Sequence, residues 1–497
     1  MSSLRQKTVS GVLWSSLAKL SMQLVLLVVT TILARLLSKD DFGVVGMAAL
    51  ITVAIGMVND KGLGMSIVQK KEVLPGQLST MFWGSIGFGV LLYVLSFAAS
   101  FPLALFFQKP EVQPIVTVIA LGFVIGAFGI VQKSILTREM SFKALSIVEI
   151  VAVLTSGAVA VVMALTGFGV WSLVVNVIGR DLFTVIGLWF VCTWRPYLHF
   201  RWTEFREYLR FSSNVLANDG AIYLITNADI TIIGRVLGSA ALGVYNLALY
   251  LVKLPVTRIS GIVAKVVFPA FSSVQDDLEA FKKAYLRAIK FISILTFPIL
   301  AGLAVFSREF IMVILGEKWL EMVWPLIFLT PMAMLKSVGT IKGSVLMAVG
   351  RPDIEMKWNL VYLVPLVAVV YFGTRFGLVG VAIAFTALYV ITFPIIQQIT
   401  NKQILVTWPQ FLKAVRTSSV ATLVMVAAGI GIRFLSNTFL LFPPIVVLII
   451  GPLMSAVIYM GTIWLLDKQI YFDFKSMMRK TTKTESTLEL SEAVIPS

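Results

Sequence analysis

Apolar residues run through this chain in blocks of membrane-crossing length, separated by short connections rich in Lys, Arg, Gly and Pro. A helix that crosses a bilayer needs about 20 mostly apolar residues. By that criterion the pattern predicts about fourteen spans, with cores at 11–34, 43–58, 79–106, 114–132, 145–166, 170–192, 212–237, 242–264, 289–306, 323–348, 358–374, 378–398, 414–434 and 443–466. The first and seventh carry charges within the apolar run. Between spans, Asp276 to Lys290 (DDLEAFKKAYLRAIK) reads as a surface helix leading into the next span, acids first and bases later as the helix dipole favours. The tail beyond Arg479 is polar and reads as disordered.

One pattern occurs twice. Ile32 to Ile51 reads ILARLLSKDDFGVVGMAALI, and Ile232 to Leu251 reads IIGRVLGSAALGVYNLALYL. Without a gap, Ile32, Arg35, Leu37, Gly43, Val44 and Ala48 return as Ile232, Arg235, Leu237, Gly243, Val244 and Ala248. Apolar matches between two hairpins carry little information, but a matched Arg and Gly at fixed spacing carry more. The repeat divides the chain into an N-lobe at 1–205 (helices 1–6), a C-lobe at 206–402 (helices 7–12), a helix pair at 403–470 and a cytoplasmic tail at 471–497. The fold class is therefore all-α integral membrane, with two parallel six-helix lobes and an appended pair; in transporters so built, substrate passes between the repeats. Gly43 and Gly243 are expected to begin their helices and permit close backbone approach. Asp40 and Asp41 are expected to cap helix 2, and Arg35 and Arg235 to snorkel to the interface.

Composition narrows the class. Of the 497 residues, 58% are hydrophobic and only 13% charged, and the mean hydropathy is +0.93. Soluble domains carry about 25% charged residues, so lipid is the solvent for most of this surface. The net charge of +16 is explained by basic loops on one side of a bilayer rather than by nucleic acid. With the N-terminus in the cytoplasm, the opposite face holds only Arg35, Lys39, Lys109, Arg235, Arg308, Lys318, Arg375 and Arg433, so both termini are placed in the cytoplasm. A single cysteine, Cys192, excludes an intrachain disulfide, and a single histidine, His199, argues against a histidine metal site or proton relay.

Ionisable groups inside the spans bear on function, because a charge at mid-bilayer costs about 3 kcal/mol and faces a bundle interior or water. Lys19, Lys61, Lys253, Arg258 and Lys336 are the candidate substrate-binding cations. Gln23, Asn214, Asn218, Asn246 and Tyr250 share helical faces with charged positions and are the candidate cavity polar groups. This set is net basic, which fits an anionic substrate; a set of internal salt bridges is the structural alternative. Asp219 and Asp229 are candidates for a coupling-ion site. No P-loop, HExxH, GxSxG or cysteine metal motif occurs, and no cofactor is expected.

Asn227 to Asp277 (NADITIIGRVLGSAALGVYNLALYLVKLPVTRISGIVAKVVFPAFSSVQDD), ILARLLSKDDFGVVGMA near the N-terminus and DKGLGMSIVQKK at Asp60 to Lys71 resemble the polysaccharide-exporter branch of the multidrug/oligosaccharidyl-lipid/polysaccharide (MOP) flippases. The resemblance spans about residues 5–470 and is nearest to Wzx-type and colanic- or teichuronic-acid exporters. It implies a bacterial inner-membrane flippase, two lobes forming a V, and a substrate that is an undecaprenyl-pyrophosphate-linked oligosaccharide. It also implies alternating access, coupling to a proton or sodium gradient, and proximity to polysaccharide-synthesis machinery such as a polymerase. Two other readings stay open: a MATE-like ion-coupled exporter, which would want an acidic cavity, and a non-transporting scaffold of a synthesis complex, which would need no intramembrane polar stripes.

Overall fold

The computed structural model describes residues 21–69, 75–206, 223, 227–261, 263, 271, 277–439 and 442–468. Among these, regular structure is helical throughout, as a chain without water to satisfy its peptide groups requires. The helices are α1 (Ser21–Leu36), α2 (Lys39–Gln69), α3 (Pro75–Phe107), α4 (Val112–Arg138), α5 (Phe142–Leu165), α6 (Val170–Val191), α7 (Ala228–Val236), α8 (Gly238–Pro255), α9 (Leu278–Val305), α10 (Val323–Gly339), α11 (Ile341–Ala348), α12 (Pro352–Gly373), α13 (Gly377–Gln403), α14 (Trp408–Phe439) and α15 (Pro444–Leu466). Ten described helical stretches are long and apolar enough to cross a membrane. One of them, Pro352–Gln403, is 52 residues long and turns at Gly377, whose φ of +68° a side chain would strain. It therefore holds two of the spans in the sequence pattern.

The chain separates into two compact units. The first comprises residues 1–247 and 359–384. Its helices pack through small residues: Ser85 donates to the carbonyls of Phe82 and Ala127, and Gly89 lets α3 approach the Phe123 carbonyl on α4. Helices in lipid gain no hydrophobic drive from meeting each other, so close backbone approach and hydroxyl bonds do the joining. After α6 the chain runs extended. The indole of Trp83 donates to the Tyr197 carbonyl at 3.0 Å, and the Tyr197 and Arg201 amides donate to Ser79 and Thr80, both at 3.3 Å. His199 packs against Gly76 in this strap. Lys133 pairs with Glu149 at 3.2 Å, which gives that span carboxylate a partner.

The second unit comprises residues 248–358 and 385–497. Asp277 caps α9 by accepting from the Glu279 and Ala280 amides. The segment expected to be a surface helix leading into the next span forms the first turns of this same helix, with Glu279, Lys283 and Arg287 exposed on one face. Phe281, Tyr285 and Ile289 are buried in the unit's core, because their spacing faces one side of a helix that continues inward. Tyr285, Gln397 and Asn401 form a buried triad, with Gln397 donating to Tyr285 Oη at 2.6 Å and to Asn401 Oδ1 at 2.8 Å. Helices α14 and α15 lie on α9. Ser418 donates to Ser293, Tyr459 donates to the Ile294 carbonyl, and Gly429 and Gly451 admit the Phe306 ring. Lys290 pairs with Asp467 at 2.6 Å, and Arg433 Nε with Glu309 at 2.8 Å. At the start of α12, Arg351 and then Lys357 hold the exposed Asp353 carboxyl down at about 2.

The Glu309 side chain is only 8% exposed, so removing Arg433 leaves a buried charge. Arg433→Ala is expected to destabilise the protein by about 3 kcal/mol, read as a lower melting temperature of detergent-purified protein. The Arg433→Ala, Glu309→Ala double variant is expected to lose less than the two single variants together; a double loss equal to the sum of the Arg433→Ala and Glu309→Ala losses would show that the pair contributes no coupling.

Candidate functional site

The two repeated hairpins meet inside the first unit, and they meet reciprocally. A Cβ added at Gly43 would run into the carbonyl oxygen of Ser239, and one at Gly243 into the carbonyl oxygen of Lys39. Ser239 and Lys39 are themselves equivalent positions of the repeat. That exchange is what a two-fold relation between the copies requires. The same Cβ at Gly243 would also lie 3.0 Å from the Gly43 amide nitrogen, so backbone meets backbone here. One turn further, Gly46 leaves space for the Asn246 side-chain amide, again at equivalent positions.

The glycines do not begin their helices, as the sequence suggested: α2 starts at Lys39 and α8 at Gly238, so both glycines sit one turn inside. The helix 2 cap also differs. Ser38 Oγ accepts the Asp41 amide while Asp41 Oδ2 accepts the Ser38 amide and hydroxyl, a reciprocal box. Asp40 takes no part in it. Its carboxylate accepts the Ser239 hydroxyl across the seam and pairs with Lys109 at 3.2 Å. Arg35 and Arg235 are both exposed, with Arg235 stacked 5.8 Å over the Phe106 ring.

Asp229 lies beside this seam in sequence and is 2% exposed. Tyr245 Oη donates to its Oδ2 at 2.7 Å, while Oδ1 is buried without a hydrogen-bond partner among the described residues. The result is a carboxylate with one oxygen held and one available to a small cation.

Of the other sequence candidates, Gln23 is buried on α1 and Asn246 is half-buried at the seam. Tyr250, Lys253, Arg258 and Lys336 belong to the second unit. There Lys253 ends α8, Arg258 stands exposed in a π-turn at Val256–Ser260, and half-buried Lys336 ends α10. That π-turn packs against α10 and α9, so the elements bearing Lys253, Arg258 and Lys336 are neighbours. π-turns often mark functional positions because one extra residue re-aims the side chains. Lys342, also within a predicted span, pairs with Glu355 at 3.5 Å. Lys19, Asn214, Asn218 and Asp219 lie outside the described residues, as does the side chain of Lys61. Sequence reasoning gave Asp40 only a capping role and Lys109 only a place among the few basic residues of one face, and it passed over Ser239 and Tyr245. The register of the repeat was the available signal for Ser239, since it stands two hundred positions from Lys39 in the matched hairpin.

Residues 32–324 match the polysaccharide biosynthesis protein family. This chain belongs to that family. It is 32% identical over 350 residues to the lipopolysaccharide biosynthesis protein WzxC of Escherichia coli (strain K12), covering 70% of this chain and 71% of that one. It is 30% identical over 351 residues to the teichuronic acid biosynthesis protein TuaB of Bacillus subtilis (strain 168), covering 70% and 72%. Among solved structures, the lipid II flippase MurJ in an inward closed conformation superposes with a TM-score of 0.73 at 14% identity, over 92% of this chain and 99% of that one. The chain is thus a multi-pass membrane protein of the polysaccharide biosynthesis family with the fold of that solved structure.

Where two backbones touch, any side chain forces them apart. Gly43→Ala and Gly243→Ala are each expected to destabilise the protein by about 1–3 kcal/mol through overpacking. Gly87→Ala, with no atom within 4 Å of its added Cβ, is expected to be near neutral. Melting temperatures of the three purified variants check this, and equal transitions would contradict the seam.

Proposed function

We propose that the protein is a flippase that carries an undecaprenyl-pyrophosphate-linked oligosaccharide from the cytoplasmic to the periplasmic leaflet of the bacterial inner membrane. The observation that carries this reading is the family membership: the relatives serve lipopolysaccharide and teichuronic acid biosynthesis. The fold shared with a lipid II flippase is in keeping with it.

The chemistry of the intramembrane residues fits that substrate. Pyrophosphate leaves water only when cations replace its hydration, and Lys253, Arg258 and Lys336, with Lys19 and Lys61, would supply them. The uncharged polar groups Gln23, Asn214, Asn218, Asn246 and Tyr250 would hydrogen-bond glycan hydroxyls. Transport by alternating access requires the hairpin seam to part, breaking the Asp40–Ser239 bond and separating the glycine contacts. Each is a short-range contact between neutral or singly charged groups, so it can break and re-form in a cycle. A coupling proton or sodium ion would sit at Asp229, or at Asp219. Both termini would face the cytoplasm, and a polysaccharide polymerase would receive the product at the outer leaflet.

Lys253→Glu and Arg258→Glu are expected to lower delivery of substrate by roughly tenfold or more, the equivalent of one charge-assisted hydrogen bond. Lipid-linked precursor would accumulate on the cytoplasmic leaflet while protein level holds; unchanged export in both would remove the cationic path. Asp229→Asn is expected to abolish the response of transport in proteoliposomes to an imposed proton or sodium gradient. A gradient response equal to that of the parent protein excludes Asp229 from coupling.

A further inference from the structure

The outer surface of the first unit carries a groove of about 550 Å³ between α4 and α6, lined by Val124, Ile125 and Phe128 on one side and Leu182, Ile186 and Phe190 on the other. Its apolar residues are not satisfied by the protein: Phe190 is 85% exposed, and Leu182 and Ile186 are more than 40% exposed. The floor is fixed, because the Trp189 indole donates to the Phe128 carbonyl at 2.9 Å. From Leu182 to Phe190 the groove runs about 12 Å along the helix, close to the roughly 15 Å of one hydrocarbon leaflet.

One end of the groove is cationic. Arg195 lines it and stacks 5.2 Å over the Trp189 ring. Three of its five N–H groups are committed to the carbonyls of Cys192, Trp194 and Trp189. The guanidinium is therefore held in place, and among the described residues its Nε hydrogen and one Nη2 hydrogen are left for an external acceptor. Arg195 follows the end of α6 in the extended strap that is pinned to the start of α3, on the side where the sequence concentrates Lys and Arg. The carboxylate of Asp181 lies at the other end, beside Gly122, away from the guanidinium.

We infer that this groove is a binding site for one anionic phospholipid of the leaflet on that side, with an acyl chain along α4 and α6 and its phosphate on Arg195. The apolar length suits the chain, and the preorganised pair of N–H groups suits a phosphate oxygen. The lipid would act as a structural ligand of the first unit, separate from the transported substrate, and the inference does not depend on the transport reading.

Native mass spectrometry of the detergent-purified full chain, titrated with equimolar phosphatidylglycerol and phosphatidylcholine, tests this. The parent protein is expected to retain phosphatidylglycerol preferentially. Arg195→Gln is expected to reduce that retention roughly tenfold, the value of one charge-assisted contact, leaving phosphatidylcholine unchanged. Ile186→Trp, which fills the groove without touching Arg195, is expected to reduce retention as well. Unaltered retention in either variant overturns the site. So does displacement of the bound phosphatidylglycerol by an equimolar polyprenyl pyrophosphate, which would assign the groove to the substrate instead.

Discussion

Two peptide backbones in direct contact form the constraint on which the first unit depends. In lipid, a helix pair can hold together only through close van der Waals packing and polar contacts that nothing else in the bilayer offers. At Gly43 and Gly243 the approach is close enough that no other residue fits. The Asp40 carboxylate then accepts the Ser239 hydroxyl and meets Lys109 nearby. Charge and packing thus coincide at one crossing, and the flanking helices need only support it.

Ion pairing elsewhere closes helix ends within each unit: Lys109 with Asp40 in the first, and Arg433 with Glu309 and Lys290 with Asp467 in the second. In α3 and α15 only 22% of the most apolar window is buried and neither helix carries a charged residue, so their exposed faces suit hydrocarbon; α6, at 17%, carries Arg180 and Asp181.

Apolar run length made the helices legible, and the matched Arg and Gly made the repeat legible. Partner choice was not legible. Asp40 and Asp41 look alike in sequence, yet one closes a local box with Ser38 and the other reaches Ser239. Only the crossing geometry separates their roles. Asn246 was read as a cavity residue from its helical face; its amide occupies the space that Gly46 leaves, a pairing visible only across the repeat. The amphipathic start of α9 was legible as a helix, but not what its apolar stripe packs on: Phe281, Tyr285 and Ile289 enter the unit's own core while Glu279, Lys283 and Arg287 stay exposed. The division by contacts groups residues 228–247 with the first unit, since the seam ties them more closely to α2 than chain order implies.

The reciprocal box at Ser38 and Asp41 has no twin. Gly238 and Ala241 occupy the matching places in the second hairpin, and neither side chain can bond a free amide. The start of α8 instead leans on a carboxylate supplied by the earlier copy. Helices with unanswered amides at their beginning gain from any nearby anion, and a chain made from its N-terminus exposes the self-sufficient hairpin first. The second hairpin thus meets its carboxylate, at the Ser239 hydroxyl, only where it docks on the first.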